Sequence, residues 1–483
     1  MQILIFKRFS LHSDRKTENR NIWHITFGFV AVFVVMIFYL GFFAYFKAPD
    51  FINSSYNSRQ ELFAKRVVRG KILSRDERVL AETEVFEDGS EKRVYPYKNL
   101  FAHAVGYSDK GKSGAELLGN FNLLTSDSFI LDRISNTLNG RKNTGDNIVT
   151  TLDVDMQAAA YKALGNYRGA IIALDVRTGE ILCMVSKPDF DPNRIAEIWD
   201  EINTDNESGY LVNRATQGLY PPGSTFKIVT MLEYLRENSG EKLSRFSFDC
   251  HGSFSIDQYT INCYHGNEHG EVDLETAFSK SCNSAFASIG VSLSRKKFRE
   301  LCEELLFNEE LPLRFPYKQS FVPINEDSDI GERMQTAIGQ GKMQASPIHI
   351  AMITGAIANK GILMEPYLID RVENGTGDIM KQYEPSEYGR IIDEEYAQKL
   401  TGFMKLVVEE GTATRLKNER YTAAGKTGSA EFSSNKAMSH AWFTGFAPAE
   451  NPRVAVTVIA EEAGSGGQFA VPMAKEVFDA YFD

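Results

Sequence analysis

Tyr220-Pro221-Pro222-Gly223-Ser224-Thr225-Phe226-Lys227-Ile228-Val229-Thr230 is the stretch on which the reading of this chain turns. A Pro-Pro-Gly turn runs into an apolar segment, and a serine and a lysine stand three residues apart at the junction. Residues three apart are neighbours on a helix surface, so Ser224 and Lys227 read as a nucleophile and its base on one face. A serine in the first turn of a helix also lies among unpaired backbone N–H groups, which favour developing negative charge. Ser-x-x-Lys alone is common, and most such pairs are solvated helix residues, so the reading needs support elsewhere in the chain.

Two further motifs follow in order. Ser281-Cys282-Asn283 lies in Ser279 to Phe286, and Lys426-Thr427-Gly428 lies in Ala424 to Glu431. Ser-x-x-Lys, Ser-x-Asn and Lys-Thr-Gly in this sequence are the signature of penicillin-binding proteins and serine β-lactamases. Gly179-Glu180-Ile181-Leu182, Pro188-Asp189-Phe190-Asp191-Pro192-Asn193, Gly411-Thr412-Ala413 and Ala441 to Pro448 add to the likeness. From about Gly145 to the C-terminus the chain resembles the transpeptidase domain of a class B penicillin-binding protein. A weaker likeness upstream rests on Arg69 to Arg75, Leu80-Ala81, Gly106-Tyr107 and Gly114-Ala115-Glu116. The resemblance implies an α/β (α+β) fold, with a transpeptidase-like antiparallel sheet flanked by helices. It also implies a smaller N-terminal pedestal domain and one transmembrane helix.

Length and composition agree with two or three domains: 483 residues, 43% apolar and 24% charged. The net charge of −11 argues against nucleic acid as a partner. Ile25 to Phe46 holds no charged residue and is long enough to cross a hydrocarbon core of about 30 Å. Lys7, Arg8, Arg15, Lys16 and Arg20 precede it against Asp14 and Glu18. The positive-inside rule then puts the N-terminus in the cytoplasm and the rest outside. The run is too long for a signal peptide and lacks a small-residue cleavage site, so it reads as an uncleaved anchor. The expected division is a cytoplasmic tail (1–21), a membrane helix (22–46) ended at Ala48-Pro49, a pedestal (47–146) and a transpeptidase domain (147–483).

Within the last part, a buried strand at Gly169 to Asp175 and its hairpin partner at Glu180 to Val185 precede the Ser-x-x-Lys helix. Leu274 to Ser294 reads as a helix broken near Ser281 and Asn283, and Tyr396 to Glu410 as an amphipathic helix. Ala441 to Ala447 and Val454 to Ala460 read as central strands, and Ala474 to Phe482 as a closing helix. Of the five cysteines, Cys183, Cys282 and Cys302 sit in apolar contexts and read as buried thiols. Cys250 and Cys263 flank an alternating stretch, Ser253 to Ile261, that suits a hairpin; a disulfide between them is open. With His251, His265 and His269 the same region could imitate a zinc site, but the spacing has no Cys-x-x-Cys and no closed four-ligand pattern. The resemblance implies no metal and no cofactor.

Serine hydroxyl needs a base to become a nucleophile. Lys227 can serve if burial and the nearby charge of Lys426 keep it neutral. The expected reaction is peptidoglycan D,D-transpeptidation: Ser224 attacks the penultimate D-Ala of a stem peptide ending in D-Ala-D-Ala, and Ser281 relays a proton to the departing D-Ala. Asn283 orients the peptide, Lys426 and Thr427 bind the terminal carboxylate from an edge strand, and Gly428 lets substrate approach. The resemblance implies an oxyanion hole from the backbone N–H groups of Ser224 and Ser429. It further implies acylation of Ser224 by β-lactams and a SEDS-type glycosyltransferase partner in a bacterial cell membrane. Tyr264, Trp442 and Phe443 could line the cleft or belong to the core, with Phe443 the better core candidate. The competing functions are a D,D-carboxypeptidase or β-lactamase, a β-lactam sensor, and an idle scaffold.

Overall fold

The computed structural model describes residues 7–43, 67–127, 134–136, 138–205, 207–431 and 439–483. The chain divides into two compact units, Met1–Leu62 and Phe63–Asp483. In the first, one helix runs Lys7–Phe42. Its Ile22–Phe42 part is 21 residues long with a mean hydropathy of 2.5 and no buried residue. At 1.5 Å per residue that part matches the hydrocarbon thickness. The helix starts well before the expected span because no glycine or proline interrupts the sequence between Lys7 and Gly28. The Ala48-Pro49 stop and the end of the predicted span beyond Phe43 lie outside the described residues.

The centre of the second unit is a five-stranded antiparallel sheet. Its order is Ala424–Glu431, Ser439–Ala447, Val454–Ala460, Gly169–Asp175, Ile181–Lys187. All seven residues of Val454–Ala460 are buried. Successive side chains of a strand point to opposite faces, so both faces of this sheet are covered. Helices Ala470–Phe482 and Val154–Leu164 pack on each other and on the sheet, and Pro347–Ala358, buried along its whole length, packs against its central strands. Asp153 caps Val154–Leu164, its carboxylate accepting the N–H groups of Asp155 and Met156. The predicted hairpin, central strands and closing helix are present, the last beginning at Ala470 rather than Ala474.

A second sheet has six strands in the order Ile379–Gln382, Ile369–Glu373, Asn147–Thr150, Ile72–Leu73, Val79–Val85, Glu91–Val94. The short strand Ile72–Leu73 pairs parallel with Asn147–Thr150, and the latter pairs antiparallel with Ile369–Glu373. Residues assigned to the pedestal thus share a sheet with residues beyond 146. Beside it lies a buried charge cluster: Glu116 accepts from Arg69 Nε (2.6 Å), Arg93 Nε (2.7 Å) and the Tyr95 hydroxyl (3.0 Å). A small lobe completes the unit. Its hairpin Ser253–Ile256/Tyr259–Asn262 forms as expected, and Phe248–Cys250 pairs with Gly270–Val272.

Candidate active site

The serine segment divides differently from a single helix. Gly223–Phe226 is a 3-10 turn, and the α-helix Lys227–Glu237 begins at the lysine itself. Gly223 opens the turn at φ +54°, and a Cβ there would sit 3.2 Å from the Ser429 carbonyl; this is a position for glycine on both counts. The approach to the turn is tied down on two sides. The Trp442 indole N–H donates to the Pro221 carbonyl (3.1 Å), and the Tyr220 hydroxyl donates to Glu461 (2.7 Å), which also accepts from Arg214 Nε (2.8 Å). Ser224 is left half-buried at the mouth of the cleft.

The predicted helix break is real: Leu274–Ser279 ends and Asn283–Ser292 begins, with Ser281 between them at φ +59°. Left-handed backbone is uncommon for serine, and here it turns both the carbonyl and the hydroxyl of Ser281 toward Lys227. Lys227 Nζ donates to Ser281 O (2.8 Å), Ser281 Oγ (3.3 Å) and Asn283 Oδ1 (2.7 Å). Lys426 Nζ donates to the same Ser281 Oγ from the other side, at 2.8 Å. Asn283 Nδ2 donates to the Asn262 carbonyl (3.0 Å), which links the turn to the small lobe. Among the described residues none of the Lys227 hydrogen bonds goes to Ser224.

Both lysines have side chains wholly removed from solvent. Burial pushes the Lys227 amine down to about 7. Burial, and then the charge of Lys227, hold Lys426 well below the ordinary lysine range. Of the two causes expected to depress Lys227, burial does so, and the repulsion between the pair falls on Lys426.

Ala424–Glu431 is the edge strand; among the described residues its one strand partner is Ser439–Ala447, so its other side faces the cleft. The hydroxyls of Thr427 and Thr412 are 2.5 Å apart. Gly428 has a reason beyond substrate approach: a Cβ there would lie 3.0 Å from the Pro222 carbonyl and 3.1 Å from the Trp442 Cβ. The serine turn therefore crosses directly over the strand. Ser429 Oγ accepts from the Gly466 N–H (3.2 Å).

Ser224, Ser281, Asn283, Thr427, Gly428 and Ser429 line one cleft of about 1290 Å³, together with Asn262, Tyr264 and Thr412. Lys227 and Lys426 lie beneath its floor. All eight candidate residues come together, from three separate chain segments. Trp442 and Phe443 are core, fully buried, and Tyr264 is the one of the three aromatic candidates that reaches the cleft. Thr412 was quoted in Gly411-Thr412-Ala413 only as part of a likeness, and nothing in the sequence pointed to the Asn262 carbonyl. A nucleophile-sized hydroxyl, a buried amine able to be neutral, a bridging hydroxyl and a free strand edge are the parts an acyl-transfer site requires.

Residues 169–479 match the penicillin binding protein transpeptidase domain, and 69–148 match the penicillin binding protein A dimerisation domain. The peptidoglycan D,D-transpeptidase PbpA of Mycolicibacterium smegmatis is 30% identical over 417 residues, covering 80% of this chain and 84% of that protein. The peptidoglycan D,D-transpeptidase MrdA of Acinetobacter baumannii is 29% identical over 444 residues, covering 80% of this chain and 65% of that protein. The structure of penicillin-binding protein A from Mycobacterium tuberculosis in its penicillin G acyl-enzyme complex superposes with a TM-score of 0.78 at 28% identity, covering 86% of this chain and all (100%) of the other. Shared sequence and shared architecture together establish that the chain belongs to the penicillin-binding protein transpeptidase family, among its class B members.

Proposed function

We propose that the protein is a peptidoglycan D,D-transpeptidase anchored in a bacterial membrane, with Ser224 as its nucleophile. The observation that carries this reading is the convergence of two buried lysines on Ser281, in the cleft that Ser224 also lines, at the edge strand of the sheet. The neutral Lys227 amine takes the Ser224 proton as Oγ attacks the carbonyl carbon of the penultimate D-Ala. The backbone N–H groups of Ser224 and Ser429 receive the oxyanion. Ser281, in contact with both lysines, passes a proton to the nitrogen of the terminal D-Ala, which leaves. An acceptor amine from a second stem peptide then attacks the ester, the cross-link forms, and the Ser224 hydroxyl is restored. Thr427 and Lys426 bind the donor carboxylate, and Asn283 orients its backbone. For Lys227 to reach Ser224 it must give up one of its present bonds to the Ser281–Asn283 turn, a rearrangement that substrate binding would drive.

The apolar helix supports the anchor, and the cationic residues before it support a cytoplasmic N-terminus with the catalytic part outside. We assign 47–146 to a membrane-proximal module and 147–483 to the transpeptidase. The module is short for a glycosyltransferase, which supports a separate SEDS-type polymerase as partner. The test is turnover of D-Ala-D-Ala stem peptides by the full-length protein in detergent, with an amine acceptor present. Cross-linked dimer is the expected product. Free D-Ala with donor peptide shortened by that one residue, and no cross-link, would shift the reading to a carboxypeptidase, and acylation by penicillin without turnover of peptide would favour a sensor or scaffold.

The pH dependence follows from Lys227. Its amine is the active base only when unprotonated, and burial brings its pKa to about 7. The second-order rate of acylation by a penicillin is therefore expected to rise as pH increases through about 7 and to level off above it. A flat profile from one unit below to one unit above would remove Lys227 from the role of base.

A further inference from the structure

We propose that Arg415 supplies the positive charge that meets the terminal carboxylate of the donor peptide, beside the hydroxyls of Thr412 and Thr427. This deepens the function proposed above and rests on it. The sequence placed that charge on Lys426, but the Lys426 side chain is 0% exposed. Its Nζ donates to Ser281 Oγ (2.8 Å) and to the Thr427 carbonyl (3.1 Å). An amine held beneath the floor and shared with Ser281 does not offer the paired N–H groups that a carboxylate takes from a guanidinium. Burial also holds it well below the ordinary lysine range, which weakens its charge. What the floor presents at its surface is neutral: the Thr412 and Thr427 hydroxyls, 2.5 Å apart.

The cleft as a whole suits an anion. Among the described residues no aspartate or glutamate lines it, in a chain whose 64 acidic residues outnumber its 53 lysines and arginines. Two cationic side chains do line it, Lys280 and Arg415. Neither is in an ion pair among the described residues. Positive charge without an internal partner, in a concave site, draws anionic ligands.

The two cations lie at the ends of one anchored segment. Lys280 Nζ donates to the Glu410 carbonyl (2.6 Å), the Thr412 N–H to the Ser279 carbonyl (3.2 Å), and Arg415 Nη1 to the Gln468 carbonyl (3.2 Å). Arg415 lies in the 3-10 turn Thr414–Leu416, three residues after Thr412. The loop that carries Gln468 is pressed against the same place. A Cβ on Gly466 would be 2.4 Å from the Gly428 carbonyl, and one on Gly467 would be 2.5 Å from the Thr412 carbonyl. Gln468 therefore moors Arg415 beside the edge strand and the Thr412 turn. One guanidinium N–H goes to that carbonyl; the rest make no hydrogen bond among the described residues. A planar guanidinium held at one edge can present the other to both oxygens of a carboxylate. Lys280 suits the task less well, because its amine is a point charge already drawn to the Glu410 carbonyl.

The test compares benzylpenicillin with its methyl ester, which keeps the β-lactam ring and lacks the carboxylate charge. The full-length protein in detergent should be acylated faster by the acid. In Arg415→Gln the acid rate should fall about tenfold and the ester rate much less. The effect is moderate because Arg415 is exposed to water before substrate arrives. Arg415→Lys should recover part of the loss. Added salt should slow the native acid reaction more than that of Arg415→Gln. Lys280→Gln is the control and should keep the native ratio of acid rate to ester rate. An equal loss with acid and ester in Arg415→Gln would make the residue structural and overturn the proposal. So would an unchanged ratio in that variant, or a ratio that collapses in Lys280→Gln instead. If neither compound acylates the native protein, the function proposed above fails, and the carboxylate site is read without chemistry. Native protein should then bind N-acetyl-D-Ala-D-Ala more tightly than its C-terminal amide, and Arg415→Gln should bind the two alike; a preference that survives in the variant would overturn the proposal.

Discussion

Ser224→Ala is expected to take up no fluorescent penicillin over hours, under conditions in which the native protein is labelled completely and keeps its label. Removing an activated nucleophile leaves only binding and oxyanion stabilisation, and the loss in such sites is on the order of 10³-fold or more. Lys227→Met is the informative partner. It keeps the length and burial of the side chain but has no nitrogen to accept a proton, and general-base catalysis is worth roughly 10²–10⁴-fold. It also frees the Ser281 carbonyl and Asn283 Oδ1 from their present donor, so its circular dichroism should be compared with the native protein. Residual slow labelling of Lys227→Met with none of Ser224→Ala separates base from nucleophile. Equal labelling of Ser224→Ala and native protein would move the nucleophile elsewhere.

The largest expected effect on stability comes from Glu116→Ala. Glu116 is fully buried and is shared by Arg69, Arg93 and Tyr95. Burial by itself raises its carboxyl pKa, but Arg69 and Arg93 outweigh that, and the net shift is downward. Deleting the carboxylate leaves two guanidiniums close together with side chains only 10–11% exposed. Removing one member of a buried pair costs roughly 3–5 kcal/mol. Chemical denaturation of the full chain reads this directly; a loss below about 1 kcal/mol would mean the cluster relaxes into water. The downward shift also gives a sign. The contribution is present above the unfolded carboxyl value of about 4.3 and fades as pH falls below it.

Much of the active site was legible because three short motifs each carry their own local geometry. Pro-Pro-Gly foretold a turn before Ser224, Lys426-Thr427-Gly428 foretold an edge strand facing the cleft, and the continuous apolar runs at 441–447 and 454–460 foretold buried central strands. What escaped were arrangements without a local pattern. The 3-10 turn at Ser224 has the same sequence as the first turn of an α-helix, so only the crossing by Gly428 and the bond to Gly339 separate the two. Ile72–Leu73 is two residues long, too short for any alternation to show.

The shared sheet changes how the protein should be cut for study. Asn147–Thr150 has Ile72–Leu73 on one side and Ile369–Glu373 on the other. A fragment begun at residue 147, the boundary that motif placement recommends, would bare a row of unpaired backbone N–H and C=O groups along that strand, an invitation to intermolecular pairing and precipitation. It would also turn Ile148 and the neighbouring apolar side chains toward solvent. Soluble fragments for crystallisation or inhibitor screening should begin upstream of Val67, so that the catalytic part carries its own sheet cover with it.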